Sequence, residues 1–324
     1  MLSGPPSIRF IRGCNMFKYI VKRILLIIPV VIGITLFIYL LMDLAPGDPV
    51  SMILGTDATP EQVAEVRSEL GLDQNVLVRY VNYMSSALQG DLGTSWVNSK
   101  PVLDEFLERF PNTLALAFSA LAITIVFGLS FGTIAAVWQN KPIDGITLIL
   151  ALLFASMPTF WFGLMMQLLF ALKLNWFPSM GVGTVKHLVL PAFALSLGTI
   201  ANQVRMTRSS VLDVINMNYV RTARSKGAGE FKVIFHHVIR NALMPVVTNW
   251  GLTFATAFGG TIISETVFSI PGISSFLINA VKVRDVPVVM GNVIIVAIIV
   301  AMINLLIDFI YAFIDPRVKL GYVS

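Results

Sequence analysis

Six long apolar runs mark the chain, at about 19–42, 114–138, 145–172, 188–204, 242–264 and 288–314. A helix of about 20 apolar residues crosses the roughly 30 Å hydrocarbon layer of a bilayer, so each run predicts a membrane-spanning helix. The second, Leu114–Trp138, holds no charged residue, and the fourth is the shortest and contains Pro191. Pro158 and Pro245 predict kinks in the third and fifth spans, where neighbouring helices can satisfy the freed carbonyls.

Between the first two runs lies a polar insertion, 43–111, with eleven acidic residues against four basic ones. Thr59-Pro60-Glu61 predicts a helix start, with threonine as cap and proline at the first helical position. Val63, Val66 and Leu70 then share a face, and Gly71 ends the helix. A second helix carries Leu77, Tyr80, Val81, Met84 and Leu88 and closes at Gly90. After GDLGTS at 90–95, Pro101 opens a third short helix with Phe106 and Phe110. Together these predict a small helical cap, which either packs over the span ends or meets a soluble substrate-delivery protein and helps to seal a pathway.

The loop at 205–241 is different in kind. Val211, Leu212, Val214, Ile215, Met217 and Tyr219 suit an interfacial helix from Ser210, with Asp213 in its first turn. Gly227 and Gly229 interrupt it. A following helix sets Phe231, Ile234, Phe235, Val238 and Ile239 on one face and Lys232, His236 and Arg240 on the other. Such a basic helix–turn–helix either lies on anionic lipid or receives a soluble partner.

Composition adds the solvent. Of 324 residues, 56% are hydrophobic and 13% charged, with mean hydropathy +0.80. Soluble domains carry about 25% charged residues, so the class is an all-α integral membrane protein.

The basic residues give its orientation. Arg9, Arg12, Lys18, Lys22 and Arg23 precede the first span, and the 205–241 loop adds Arg205, Arg208, Arg221, Arg224, Lys226, Lys232 and Arg240. Lys141, Arg317 and Lys319 fall on the same side, against Lys173, Lys186, Lys282 and Arg284 opposite. Basic residues favour the cytoplasm, so both termini are expected there. The expected organisation is a cytoplasmic segment 1–18, a first span 19–42 and an extracytoplasmic insertion 43–111. A core of five further spans follows over 112–314, containing the cytoplasmic 205–241 loop, and a cytoplasmic tail covers 315–324. The first run is too long for a signal peptide and lacks a small-x-small cleavage site; Met16 is an alternative start. Cys14 is the only cysteine, so no internal disulfide forms.

Chemistry-bearing patterns are few. Gly128-Leu-Ser130-Phe-Gly132 matches a serine-hydrolase elbow in letters, but that elbow needs a strand-to-helix turn and these residues lie in an uncharged span. Gly128 and Gly132, and likewise Gly251, Ala255 and Gly259, have the spacing of tightly packed helices. No phosphate loop occurs, so any ATP and Mg must be bound by another chain. No metal-ligand cluster is visible either; the histidines, His187, His236 and His237, lie near membrane boundaries. Nothing in the chain suggests nucleic acid. Asp308, with Asn304 one turn earlier in the last span, is an ion-pathway or gate carboxylate or a structural polar contact, and Glu265, at the outer end of the fifth span, is a gate or a cap. As ion-pathway groups, Asp308 and Glu265 would suit a self-sufficient ion-coupled secondary transporter. Thr248, Asn249, Thr253 and Thr256 make the fifth span polar, lining a pathway or bonding neighbouring helices.

The run Tyr219-Val-Arg221-Thr222-Ala223-Arg224-Ser-Lys226-Gly227, followed by Arg240-Asn-Ala-Leu-Met-Pro245, resembles the coupling loop of ABC importer permeases of the dipeptide, oligopeptide and nickel branch. The general pattern is Glu-Ala-Ala, three residues, then Gly. Ala223 and Gly227 match it, whereas Arg221 stands in place of the Glu, a departure usual in that branch. LAPGDPV (44–50), GLD (71–73), GDLGTS (90–95), ERFPNTL (108–114), SETVFSIPGI (264–273), RDVPVV (284–289) and NLLIDFIYAFIDPR (304–317) are similar to that branch in the same order. The resemblance implies a non-catalytic subunit of a bacterial or archaeal inner membrane. It would pair with a second homologous permease, and an extracytoplasmic binding protein would deliver a peptide or related solute. Two cytoplasmic ATPases would act on Tyr219, Arg221, Thr222, Ala223, Arg224, Lys226, Gly227 and Glu230. It leaves the cargo open among dipeptide, oligopeptide, glutathione and nickel.

Overall fold

A computed structural model describes residues 14–55 and 58–314. Helices make up nearly all of it, and among the described residues the only β feature is one bridge, Thr94 to Pro101. α1 (Cys14–Leu44) is followed by the short α2 (Pro49–Leu54), α3 (Pro60–Glu69) and α4 (Val76–Leu88). α5 (Val102–Val137), α6 (Pro142–Ser156) and α7 (Thr159–Met166) come next, α7 continuing as a π-helix over Gln167–Lys173. α8 (Val185–Ile215) and α9 (Asn218–Ser225) precede α10 (Glu230–Lys232), which runs through a π-helix (Val233–Ile239) into α11 (Arg240–Val267). α12 (Ile273–Lys282) and α13 (Val286–Ile314) complete the order.

Four helices are individually long and apolar enough to cross a membrane, over Leu25–Leu44, Val102–Val137, Val185–Ile215 and Val286–Ile307. Two bent pairs bring the number to six if each crosses once: Pro142–Ser156 with Thr159–Lys173, bent by 100°, and Glu230–Val247 with Asn249–Val267, bent by 40°. Pro158 produces a break rather than a kink. The residue before proline avoids the helical region, and Met157 is extended at ψ 132°. Pro191 and Pro245 are carried inside their helices.

Two expected boundaries dissolve. The third short helix of the insertion and the second span are one element, α5, which passes through Pro111. At 36 residues it is about 54 Å long at 1.5 Å per residue. Phe106 on one side of Pro111 and Ala117 on the other bury into one cluster with Phe258 and Ile273, so packing carries the helix across the lost hydrogen bond. Likewise α8 does not stop at residue 204: Val211 is buried, and the expected interfacial helix from Ser210 is divided, its first part to Ile215 being the end of α8 and Tyr219 belonging to α9.

The insertion's helices start as expected. Thr59 and Gln62 form a reciprocal capping box at α3, and Gly71 follows it at φ 65°. α4 lies along α1 rather than only over its end. Tyr80 is buried, its hydroxyl within 3.0 Å of Thr35 Oγ1, and it donates to the Ile32 carbonyl at 3.0 Å. Tyr83 donates to the carbonyls of Leu92 and Pro287, tying α4 to the start of α13. Burial, with Asp91 adding to it, raises the Tyr83 phenol above its ordinary range, so it remains a donor at physiological pH.

α5 and α8 approach closely. A Cβ on Gly128 would lie 2.2 Å from Gln203 Cγ, and one on Gly132 would lie 2.8 Å from the Val204 carbonyl oxygen. The small-residue spacing read from the sequence therefore marks a helix contact in α5. In α11 it holds in part: Gly251 packs on Ile307 and Ala255 is buried, but a Cβ on Gly259 would meet nothing within 4 Å among the described residues.

Candidate coupling surface and pathway

α9 is amphipathic and only eight residues long, and its C-terminus is closed by a Schellman turn. Gly227 N–H donates to the Arg224 carbonyl at 2.9 Å and Ala228 N–H to the Ala223 carbonyl at 3.3 Å, with Gly227 left-handed at φ 79°. That turn favours glycine at this position, and apolar contact around the two residues its outer bond joins commonly accompanies it. Ala223 and Ala228 supply the contact, both packed on one cluster. The two matched positions of the resemblance, Ala223 and Gly227, are thus both parts of one turn. Close backbone approach is not the reason for Gly227, because nothing lies within 4 Å of a Cβ there.

The inner face of α9 seats on the bundle. Val220 is fully buried with Ala136 of α5, Val211 of α8, Val233 and Val238 of the π-helix, and Ala242 of α11. Tyr219, Arg221, Thr222, Arg224, Lys226, Gly227 and Glu230 are exposed. Arg224 bridges the glycine turn, donating to both Glu230 carboxylate oxygens at 3.1 and 2.6 Å.

The seating residues after the turn agree only in part with those expected: Val238 is buried as expected, whereas the phenylalanines are not. Phe231 and Phe235 are exposed, their rings tilted against each other with centroids 4.3 Å apart, whereas Val233 and Val238 are buried. The α-periodicity misplaces the face because this segment winds as a π-helix. With bonds spanning five residues, Val233 and Val238 fall on one side.

Within the spans, Thr253 and Thr256 of α11 line a cleft of about 260 Å³. Thr124 of α5, Thr159 of α7 and Thr199 of α8 join them, and among the described residues no charged one borders it. Thr124 and Thr199 are hydrogen-bonded to each other at 2.8 Å. These three threonines are invisible as a group in the sequence, since each is a single hydroxyl in a separate apolar helix.

Asn249 instead makes a helix contact, donating to Gln203 Oε1 at 2.9 Å, while buried Gln203 donates to Thr207 at 3.3 Å. Glu265 is fully buried. It accepts from Thr113 Oγ1 at 2.6 Å and from the Ser275 N–H, in the first turn of α12, at 2.7 Å. A Cβ on Gly272 would lie 2.3 Å from its carboxyl carbon, so this carboxylate caps α12. Asp308 belongs to α13, but its side chain, like that of Thr248, lies outside the described residues. Residues 1–13 and 315–324, including Arg9, Arg12, Arg317 and Lys319, also lie outside them.

The dispersed motifs meet in pairs. Asn112 and Thr113 of ERFPNTL bond Pro271 and Glu265 of SETVFSIPGI. Ser95 of GDLGTS donates to Asp285 of RDVPVV, and Arg284 donates to the Gly47 carbonyl of LAPGDPV. On the opposite side, Arg208 of α8 holds Asp144 of α6 with two parallel bonds of 2.7 Å.

Residues 128–320 match the family described as "Binding-protein-dependent transport system inner membrane component". Residues 16–117 match its companion, "Binding-prot-dependent transport system membrane comp, N-term". The chain is 38% identical over 304 residues to the "Glutathione transport system permease protein GsiC" of Escherichia coli O6:H1, covering 94% of this chain and 99% of that one. It is 38% identical over 332 residues to the "Dipeptide transport system permease protein DppB" of Alkalihalophilus pseudofirmus, covering 94% of this chain and 100% of that one. Among solved structures, it resembles "Inward facing conformations of the MetNI methionine ABC transporter" with TM-score 0.56 and 19% identity, over 65% of this chain and 96% of that one; this likeness concerns the fold. The chain therefore belongs to the inner-membrane components of binding-protein-dependent transport systems, as a multi-pass, non-catalytic permease subunit of an ABC importer in the bacterial inner membrane.

Proposed function

We propose that this subunit forms, with a second homologous permease, the passage for a di- or oligopeptide or a solute handled alike, such as glutathione. A binding protein delivers the cargo to the side bearing α2–α4, and two ATPases press on α9 from the cytoplasm. Both termini are then cytoplasmic, in keeping with the basic residues of the 205–241 loop. The relatives transport glutathione and a dipeptide by name, which supports the cargo class.

One observation carries the coupling role. Val220 and Ala223 seat α9 on the ends of α5, α8 and α11, while its other face stays exposed. A push on the exposed face reaches three spans at once, and a Schellman-closed helix is a stiff lever. The threonine cleft suits the cargo, because hydroxyls both donate and accept and can meet peptide amides whatever their side chains.

Reconstitution with the partner ATPases, second permease and binding protein tests this. Gly227→Trp is expected to insert and assemble normally yet lose ATP-driven uptake of alanyl-alanine. Full uptake by that variant overturns the coupling role, and uphill uptake by the lone chain overturns the whole reading.

A further inference from the structure

A second cleft, of about 220 Å³, lies where α1 ends, α2 and α3 cross and α13 begins. Its charged lining is Asp43, Asp48, Arg67, Arg79 and Arg284. Arg79 pairs with Asp43, and Arg67 pairs with Asp48 at 2.9 Å. That leaves Arg284, which has no carboxylate partner among the described residues.

Arg284 is only 7% exposed. One guanidinium nitrogen donates to the Gly47 carbonyl, but its Nη2 is buried without an acceptor, as is Arg79 Nε beside the same cleft. Arg284 is also held at φ 56°, a left-handed conformation that a side-chain-bearing residue adopts at a cost. A guanidinium cannot relieve its burial by losing a proton. Among the described residues three cations face two anions around the cavity, a surplus of a single positive charge.

We propose that this cleft binds a small monocarboxylate, whose oxygens take up the free donor capacity of Arg284 and Arg79. The planar fork of a guanidinium matches a carboxylate, and the single surplus charge suits a monoanion better than a phosphate dianion. The inference rests on the peptide reading above only for the bearer of the group, the C-terminus of an incoming peptide.

The assembled transporter in nanodiscs, with carbon-13 acetate as the probe and acetamide as its neutral counterpart, tests the site by ligand-observed NMR. Acetate is expected to bind and acetamide to fail. Arg284→Gln should weaken acetate at least about tenfold, the loss of a charge-assisted hydrogen bond and of the surplus cation. If that variant does not fold, the more exposed Arg67→Gln should leave Asp48 unpaired at the cavity wall and weaken acetate several-fold. Equal binding of acetate and acetamide, or no acetate binding, means that water fills the cleft and overturns the site without touching the pathway reading. Alanyl-alanine should displace acetate and its C-terminal amide should not; equal displacement by both overturns the peptide terminus as bearer.

Discussion

Thr113 donates its hydroxyl to Glu265 and accepts the N–H of Ile273 at 2.9 Å, so one threonine links α5, α11 and α12. Removing the carboxylate leaves two buried donors without an acceptor, at about 1–3 kcal/mol each. Glu265→Ala is therefore expected to cost about 2–6 kcal/mol in detergent unfolding, and Glu265→Gln less, because one oxygen remains. Gly272→Ala should cost about 1–3 kcal/mol by overpacking against the same carboxylate. Unchanged thermal stability in Glu265→Ala would show that the buried network is not structural.

The α5–α8 contact gives a matched comparison. Gly132→Ala pushes a methyl onto a backbone oxygen that cannot rotate away, and should destabilise by about 1–3 kcal/mol. Gly259→Ala, at a glycine of similar appearance, meets open space and should be neutral or slightly stabilising through helix propensity. Thermal unfolding of the two variants side by side measures the difference, and equal loss in both contradicts the close contact.

Arg208 and Asp144 form a largely buried pair, with side-chain exposures of 23% and 7%. Breaking one side of such a pair costs about 3–5 kcal/mol, because the other charge is stranded. Asp144→Ala with Arg208→Ala should therefore be less damaging than the sum of the singles, with a coupling of about 1–3 kcal/mol in a double-mutant cycle. Additive losses would rule out the interaction.

At Gly227 the constraint is backbone handedness, not space. Gly227→Ala is expected to weaken the turn by about 1–2 kcal/mol, and Gly227→Asn by less, since asparagine tolerates this region. Hydrogen exchange at the Gly227 and Ala228 amides reads this directly. A larger effect from Gly227→Val than from Gly227→Ala on exchange and on uptake would be expected from branched strain; a rank order set by side-chain volume alone would contradict the handedness account.

Much of this protein was legible along the chain, because lipid and local backbone chemistry act on contiguous residues. Apolar runs of spanning length, the Thr59 cap, the stops at Gly71 and Gly227 and the tight spacing of Gly128 and Gly132 each need only a short stretch of sequence. The motifs at 44–50, 90–95, 108–114, 264–273 and 284–289 were also visible, as resemblance without a reason.

Tertiary packing decided the rest. It carried α5 through Pro111, extended α8 to Ile215 and wound 233–239 as a π-helix, so that Val233 joined Val238 in the core and two phenylalanines did not. It also sorted the polar residues: Glu265 became a cap, Asn249 a contact with Gln203, and five threonines from four helices one cleft. A single sequence shows which side chains a helix carries. Which of them meet across helices depends on rotation and register, and these are set only when the bundle closes.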